Sequence, residues 1–261
     1  MIKLVAIVWL HFLRLWRYRY NLINMIVSNA MWVLLLILGV ILFVPSEEFN
    51  SAVKTAYWTI ACWSVISNFS SLVGGWTNFF ISLGMVEEHL MRGISPFLVI
   101  GGRLSTATAV SVLTILFMGA LIQSLFSAPV FELLNPSLAL FGFIAIALQS
   151  LFYGLIVAAL AMRISVSEQF LEILNFAIVG LLLVPMRIVP VPLKLLYLVV
   201  PYIAPTHLLK ISCGSEDQSF LMPAIAISLI EAVSLCFLAY IVIRMTEEHL
   251  RKNGVRAIGF Y

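Results

Sequence analysis

Among the side chains able to do chemistry, Glu231 stands out because it lies near the middle of an apolar run, residues 221–243. A charged group at that depth of a bilayer costs about 2.5–3.5 kcal/mol on insertion scales. It must therefore face protein or water. There it serves either as a polar contact along a pathway or as a hydrogen-bonded packing residue. Its potential partners are the amides of other apolar runs, Asn68, Gln149 and Asn175. Trp58, Trp63 and Trp76 recur along the second run, where indoles either line an aromatic route or anchor the chain at the membrane surface.

Several other chemistries find no support in the sequence. Glu-Glu-His-Leu occurs twice, at residues 87–90 and 247–250, but neither copy has the His-Glu-x-x-His order of a zinc protease helix. Pairs on a helix surface explain the second copy more simply, Glu247 with Arg251 or Glu248 with Lys252. No Lys follows a Gly anywhere, so the phosphate-cradling Gly-x-x-x-x-Gly-Lys pattern is missing. Asp217 is the only Asp, and no apolar run pairs Ser with His, which argues against an intramembrane enzyme. Cys62 and Cys236 fall in apolar runs and Cys213 in a loop, a spacing that suits neither a disulfide framework nor a metal.

The elements that position these groups follow from composition. Of 261 residues 62% are hydrophobic and 10% charged, against roughly a quarter charged in soluble domains. Six runs with almost no charge cover residues 23–44, 55–83, 104–125, 138–162, 170–184 and 221–243. A span needs about 20 residues, and five of the six reach that length. The segment 185–215 is apolar but carries Pro185, Pro190, Pro192, Pro201 and Pro205. Proline interrupts a regular helix, so this stretch is expected to form re-entrant half-helices. Such irregular backbone is tolerated at membrane depth only inside protein or beside water.

Residues 1–22 read as an amphipathic helix lying in the membrane interface. Arg14, Arg17 and Asn21 share one stripe, with Trp9, Phe12, Leu13, Trp16 and Tyr20 around it. With six spans, eleven Lys and Arg (Lys3, Arg14, Arg17, Arg19, Arg92, Arg103, Arg163, Arg244, Arg251, Lys252 and Arg256) share one side, and Lys54, Arg187, Lys194 and Lys210 take the other. The excess marks the cytoplasmic side. The expected fold is thus an all-α integral membrane protein of one domain, residues 1–261. It has six transmembrane helices, an interfacial N-terminal helix, re-entrant half-helices before the last span, and both termini cytoplasmic, the tail being residues 244–261. Ser67, Ser71 and Gly75 repeat every four residues and would allow close helix approach.

Between the second and third runs the chain reads Gly84-Met-Val-Glu87-Glu88-His-Leu90-Met-Arg92-Gly93-Ile-Ser-Pro96, then Gly101-Gly102-Arg103. Glu88 and Arg92 are one helical turn apart, Leu90 offers an apolar contact, and Pro96 limits the helix. Gly84, Glu87, Leu90, Pro96 and Gly102 stand in the order seen in the cytoplasmic loop of type-2 ABC (ATP-binding cassette) transporter permeases, and the segment resembles that family. Val191-Pro192 through Pro201, with His207 to Lys210, is similar to the family's outer segment, and Arg251-Lys252-Asn-Gly254 to its basic tail. The small Ser-Gly turn before the outer prolines is absent, and Arg187 stands nearby.

The resemblance covers nearly the whole chain by layout and implies an export permease without its own ATPase site. It would use ATP and Mg bound by a separate ABC ATPase subunit and would pair with a second permease copy or a related chain in the plasma membrane. Glu87, Glu88, Leu90 and Arg92 would couple to the ATPase. Glu231, Asn68, Gln149, Asn175 and Trp63 would line the pathway, with Pro192 and Pro201 at an outer gate. The cargo class expected is a hydrophobic or amphipathic drug, lipid or glycan. An ion-coupled secondary carrier, which usually has several mid-membrane ionisable groups, and a non-transporting assembly or immunity protein are the alternatives.

Overall fold

The computed structural model describes residues 2–42, 44–45, 49–70, 76–163, 168–216 and 218–254. They form helices and connecting turns, with no strand among the described residues. In chain order the helices are α1 (Ile2–Arg17), α2 (Arg19–Ile41), α3 (Phe49–Phe69), α4 (Trp76–Ser82), α5 (Met85–Met91) and α6 (Pro96–Gly101), followed by α7 (Leu104–Phe126), α8 (Pro136–Ala161), α9 (Glu168–Leu183), α10 (Lys194–Leu198), α11 (Ile203–Ser212) and α12 (Leu221–Asn253).

Four stretches are long and apolar enough to cross a bilayer: Arg19–Gly39, Pro96–Phe126, Pro136–Ala161 and Gln218–Asn253. A fifth is obtained if the bent pair Val191–Leu198 and Ile203–Ser212 counts as one span. Each apolar run expected to span is mostly helical where it is described, with turns or bends at Leu42, Val44, Leu83, Met162 and Val184. The second differs in character because α3 is the inner helix of the bundle. From Val53 to Phe69 most of its side chains are buried against α2, α7, α8 and α9, so Thr59, Ser64 and Asn68 find protein partners instead of lipid. At 16 residues, α9 spans about 24 Å at 1.5 Å per residue, short of the roughly 30 Å hydrocarbon layer. Ser71, Gly75 and Arg256 lie outside the described residues.

The N-terminal helix ends five residues earlier than its sequence pattern implies. Tyr18 separates α1 from α2, so Asn21 belongs to the first long helix. Two fixed points hold α1 on the bundle. The buried His11 ring bonds through Nε2 to the Val99 carbonyl at 3.1 Å. Gly102 leaves room for Ile7, whose Cγ2 would lie 2.4 Å from any Cβ placed there.

α8 is the hub of the packing, touching α12, α11 and α3 along most of its length. Small residues permit this, and at Gly142 a Cβ would sit 3.0 Å from both the Leu209 side chain and the Pro205 carbonyl of α11. A large apolar cluster fills most of the bundle. A second one gathers Phe80, Val86, Phe97, Ile100, Ala158 and Leu250, with Ile7 packed on it. This second cluster brings α1 and the far end of α12 to the same end of the bundle.

The proline-dense segment bends as its composition dictates. The two limbs around Val200 and Pro201 meet at 109°, and Tyr202 takes a left-handed backbone, φ 70°, at the corner. Pro205 is tolerated inside α11 because the first turn of a helix has no intrahelical acceptor for its N–H groups.

Candidate functional site

Gln149 is fully buried at the centre of α8. Its Nε2 donates to Glu231 Oε2 at 3.1 Å and to the Ser228 carbonyl at 3.3 Å, both on α12. Gln149 Oε1 and Glu231 Oε1 are buried without hydrogen-bond partners. Ser150 and Glu231 are among the polar groups around the Tyr202 hydroxyl, and Tyr202 stands edge-on to Tyr153 at 6.5 Å. A half-satisfied polar cluster at the junction of α8, α11 and α12 is expensive to keep dry. It offers donors and acceptors to a polar group or a proton arriving between these helices.

Of the three amides expected to serve Glu231, only Gln149 does so. Asn68 instead accepts from Asn29 Nδ2 at 3.2 Å and donates to Ser111 Oγ at 3.3 Å and Ser64 Oγ at 3.4 Å, which ties α2, α3 and α7 together. That is a packing role. Asn175 offers its backbone carbonyl to Trp63 Nε1 at 3.2 Å, while the Trp63 ring lies 6.4 Å from Phe176. Trp58 is buried and donates to the Val130 carbonyl at 2.9 Å. Trp76 is clasped by Arg14 and Arg103. None of the three indoles stands as a simple lipid anchor.

The bend carries a second buried cluster that the sequence pattern did not single out. Lys210, 4% exposed, donates to the Leu182 carbonyl at 2.7 Å. Glu216 accepts the Met186 N–H at 2.9 Å, and His207 Nδ1 lies 3.6 Å from its other oxygen. His207 Nε2 is buried with no hydrogen-bond partner. A cavity of about 220 Å³ adjoins these groups and is lined also by Arg187, Lys194 and Ser219. The signal that would have found the cluster was available, because Lys210 follows an apolar stretch from Ile203 and the burial argument made for Glu231 applies to it equally. Cys213, read as a loop residue, caps α11 and is buried. Pro192, in the first limb, and Pro201, in the break itself, are both exposed.

At the end shared by α1 and the end of α12, the Gly84 to Arg92 segment folds into α5, a helix of seven residues. Gly84 and Gly93 bracket it with φ of 66° and 65°, values that favour glycine. Val86 and Leu90 turn into the second apolar cluster. Glu88 pairs with Arg92 on the outer face, where Met91 is 82% exposed. Glu87 is half-buried, with Oε2 shielded. Ser95, which precedes α6, donates to Glu247 on α12, and Glu248 pairs with Arg244 at 3.5 Å. The spacing-based pairs Glu247 with Arg251 and Glu248 with Lys252 are therefore replaced by these two.

In comparisons with known proteins, no family model, no curated protein and no solved structure matches this chain. The functional reading rests on its own geometry and on the resemblance of its motifs.

Proposed function

We propose that this chain is the membrane-spanning subunit of an ABC transporter, similar to the type-2 permeases, with six spans and both ends in the cytoplasm of a plasma-membrane system. The observation that carries the reading is α5. It is a short charged helix at the end of the bundle where α1 and the end of α12 meet, exposing Glu88, Met91 and Arg92 while Val86 and Leu90 anchor it in the apolar cluster of α8 and α12. With six spans, eleven of fifteen basic residues would share that side, which supports placing it in the cytoplasm.

A soluble ATPase seated on α5 would move a rigid unit. Displacing Glu88 and Arg92 would push Leu90 against the cluster, and the Ser95–Glu247 bond would carry the load to α12. That helix bears Glu231, so closure of two ATPases would change the packing around Gln149. ATP and Mg belong to the partner subunit, and a second permease copy or related chain would complete the pathway. Export of a hydrophobic or amphipathic drug, lipid or glycan is the cargo class that the resemblance brings.

The ion-coupled carrier gains from one observation, that Lys210, His207 and Glu216 form a second buried ionisable cluster at the bend in addition to Glu231. Intramembrane ionisable groups of this kind mark ion pathways in carriers. A photo-crosslinking residue at Met91 separates the two readings. Under the permease reading it captures an ATP-hydrolysing subunit in native membranes, and the same probe at exposed Leu134 does not. Capture at neither position favours the carrier or an assembly protein.

A further inference from the structure

A cavity of about 470 Å³ opens between α1, the start of α2, Trp76 and the turn into α7. Its polar lining is His11, Arg14, Tyr18, Asn21, Arg103 and Thr106, together with the Trp76 ring. Leu15, Leu22, Met25 and Val110 continue the wall with apolar surface. The volume lies in the range of pockets that hold a small-molecule ligand, far above the roughly 30 Å³ share of one water. Among the described lining residues two are arginines and none is a carboxylate.

Both arginines are oriented by the same ring. The Arg103 guanidinium carbon lies 3.2 Å from the Trp76 centroid and that of Arg14 lies 4.3 Å away. Stacking of this kind engages the faces of a guanidinium and directs its N–H edges along the plane, the arrangement that matches phosphate oxygens in pairs. Burial of Arg103 to 8% exposure makes the local field less screened than at an open surface. The cavity also sits where α1 meets the first long helix, and the amphipathic pattern of α1 would place it at headgroup level. A ligand with an anionic head and an apolar body satisfies both halves of the lining.

We infer that this cavity binds the phosphate headgroup of an anionic phospholipid from the leaflet on the side of α1, with Arg14 and Arg103 on the phosphate and the glycerol and first acyl carbons along Leu22, Met25 and Val110. Tyr18 and Asn21 supply neutral donors at the rim. The occupied site fixes α1 against α6 and α7, since His11 belongs to the wall and also bonds Val99. This inference is independent of the cargo and of the ATPase.

The test is native mass spectrometry of the purified, delipidated full chain titrated with phosphatidylglycerol, phosphatidylcholine or glycerol 3-phosphate. The expected result is phosphatidylglycerol binding about tenfold tighter than phosphatidylcholine, as a charge-assisted pair of contacts implies, with glycerol 3-phosphate too weak to compete. Arg14→Gln removes the preference, whereas Arg17→Gln, exposed on the same helix but outside the lining, leaves it intact. Should Arg14→Gln not fold, Asn21→Asp places a negative charge at the rim and removes the preference by repulsion. Equal binding of the two lipids, or equal loss in the Arg14 and Arg17 variants, overturns the site. Competition by glycerol 3-phosphate at the same concentration overturns the lipid as its source and assigns a soluble phosphate ester.

Discussion

Replacing Gln149 by Leu is expected to harm the protein more than replacing Glu231 by Leu, and the geometry gives the reason. Gln149 Nε2 has two acceptors, Glu231 Oε2 at 3.1 Å and the Ser228 carbonyl at 3.3 Å. Glu231 has one donor, and its second oxygen is buried without a partner. Gln149→Leu therefore strands a largely buried carboxyl group, at about 1–3 kcal/mol, whereas the Ser228 carbonyl lies inside α12 and keeps its intrahelical donor. Glu231→Leu leaves the amide bonded to Ser228 and removes a group that is expensive in hydrocarbon, so its cost is expected to be under about 1 kcal/mol. In the double variant the carboxyl is no longer stranded, and stability returns to within about 0.5 kcal/mol of Glu231→Leu alone. The implied coupling is about 1–3 kcal/mol, at or above the upper end for membrane helices, where double-mutant cycles average about 0.6 and reach about 1.7. Reversible unfolding of the purified chain in mixed micelles reads all four corners of the cycle. Additivity within about 0.3–0.5 kcal/mol, or a larger loss for Glu231→Leu than for Gln149→Leu, would refute this reasoning.

Three further outcomes follow from the packing of α1 and of the bend. Gly102→Ala puts a methyl 2.4 Å from Ile7 Cγ2, and overpacking of that order costs about 1–3 kcal/mol, so hydrogen exchange of α1 should quicken while that of α8 does not. Burial holds the His11 ring below its ordinary value of 6.5, with the bond to Val99 opposing and the charges of Arg103 and Arg14 adding to the effect. The undocked helix takes up the proton first as pH falls, so docking of α1 is at full strength above about pH 6.5 and is lost progressively below it. Exchange of α1 at about pH 5.5 against about pH 7.5 should show this, and His11→Gln should flatten the dependence. Lys210→Met keeps the apolar stem but strips the Leu182 carbonyl of its donor and Glu216 of its nearby cation; a loss of about 1–3 kcal/mol in thermal unfolding is expected, and an unchanged midpoint would deny the lysine its structural role.

Composition made the helical architecture legible, because long uncharged runs admit few other folds. The central pair was half legible. The cost of a carboxyl inside an apolar run says that Glu231 needs a donor and names three amides, but the rotation of each helix about its axis decides among them, and that is set by contacts such as Gly142 against Leu209. Asn68 went elsewhere because α3 lies inside the bundle, where Asn29 and Ser111 meet it first. The break at Tyr18 carries no Pro or Gly and had no local mark. At the bend the prolines predicted irregular backbone correctly, yet the buried Lys210, His207 and Glu216 come together only through the 109° turn, which pattern alone does not specify. The Glu88–Arg92 pair of α5 was legible in its spacing of four, whereas the exposure of Met91 between them has no sequence signature.

The central claim, a permease served by a separate ATPase, is tested most directly by affinity purification of the tagged chain from native membranes in mild detergent, with mass spectrometry and an ATPase assay. The account predicts that an ATP-binding-cassette subunit co-purifies with the intact chain and is lost when Glu87, Glu88 and Arg92 are replaced by Ala, together with the ATPase activity. Absence of any such subunit from the intact chain, even after crosslinking, would contradict it.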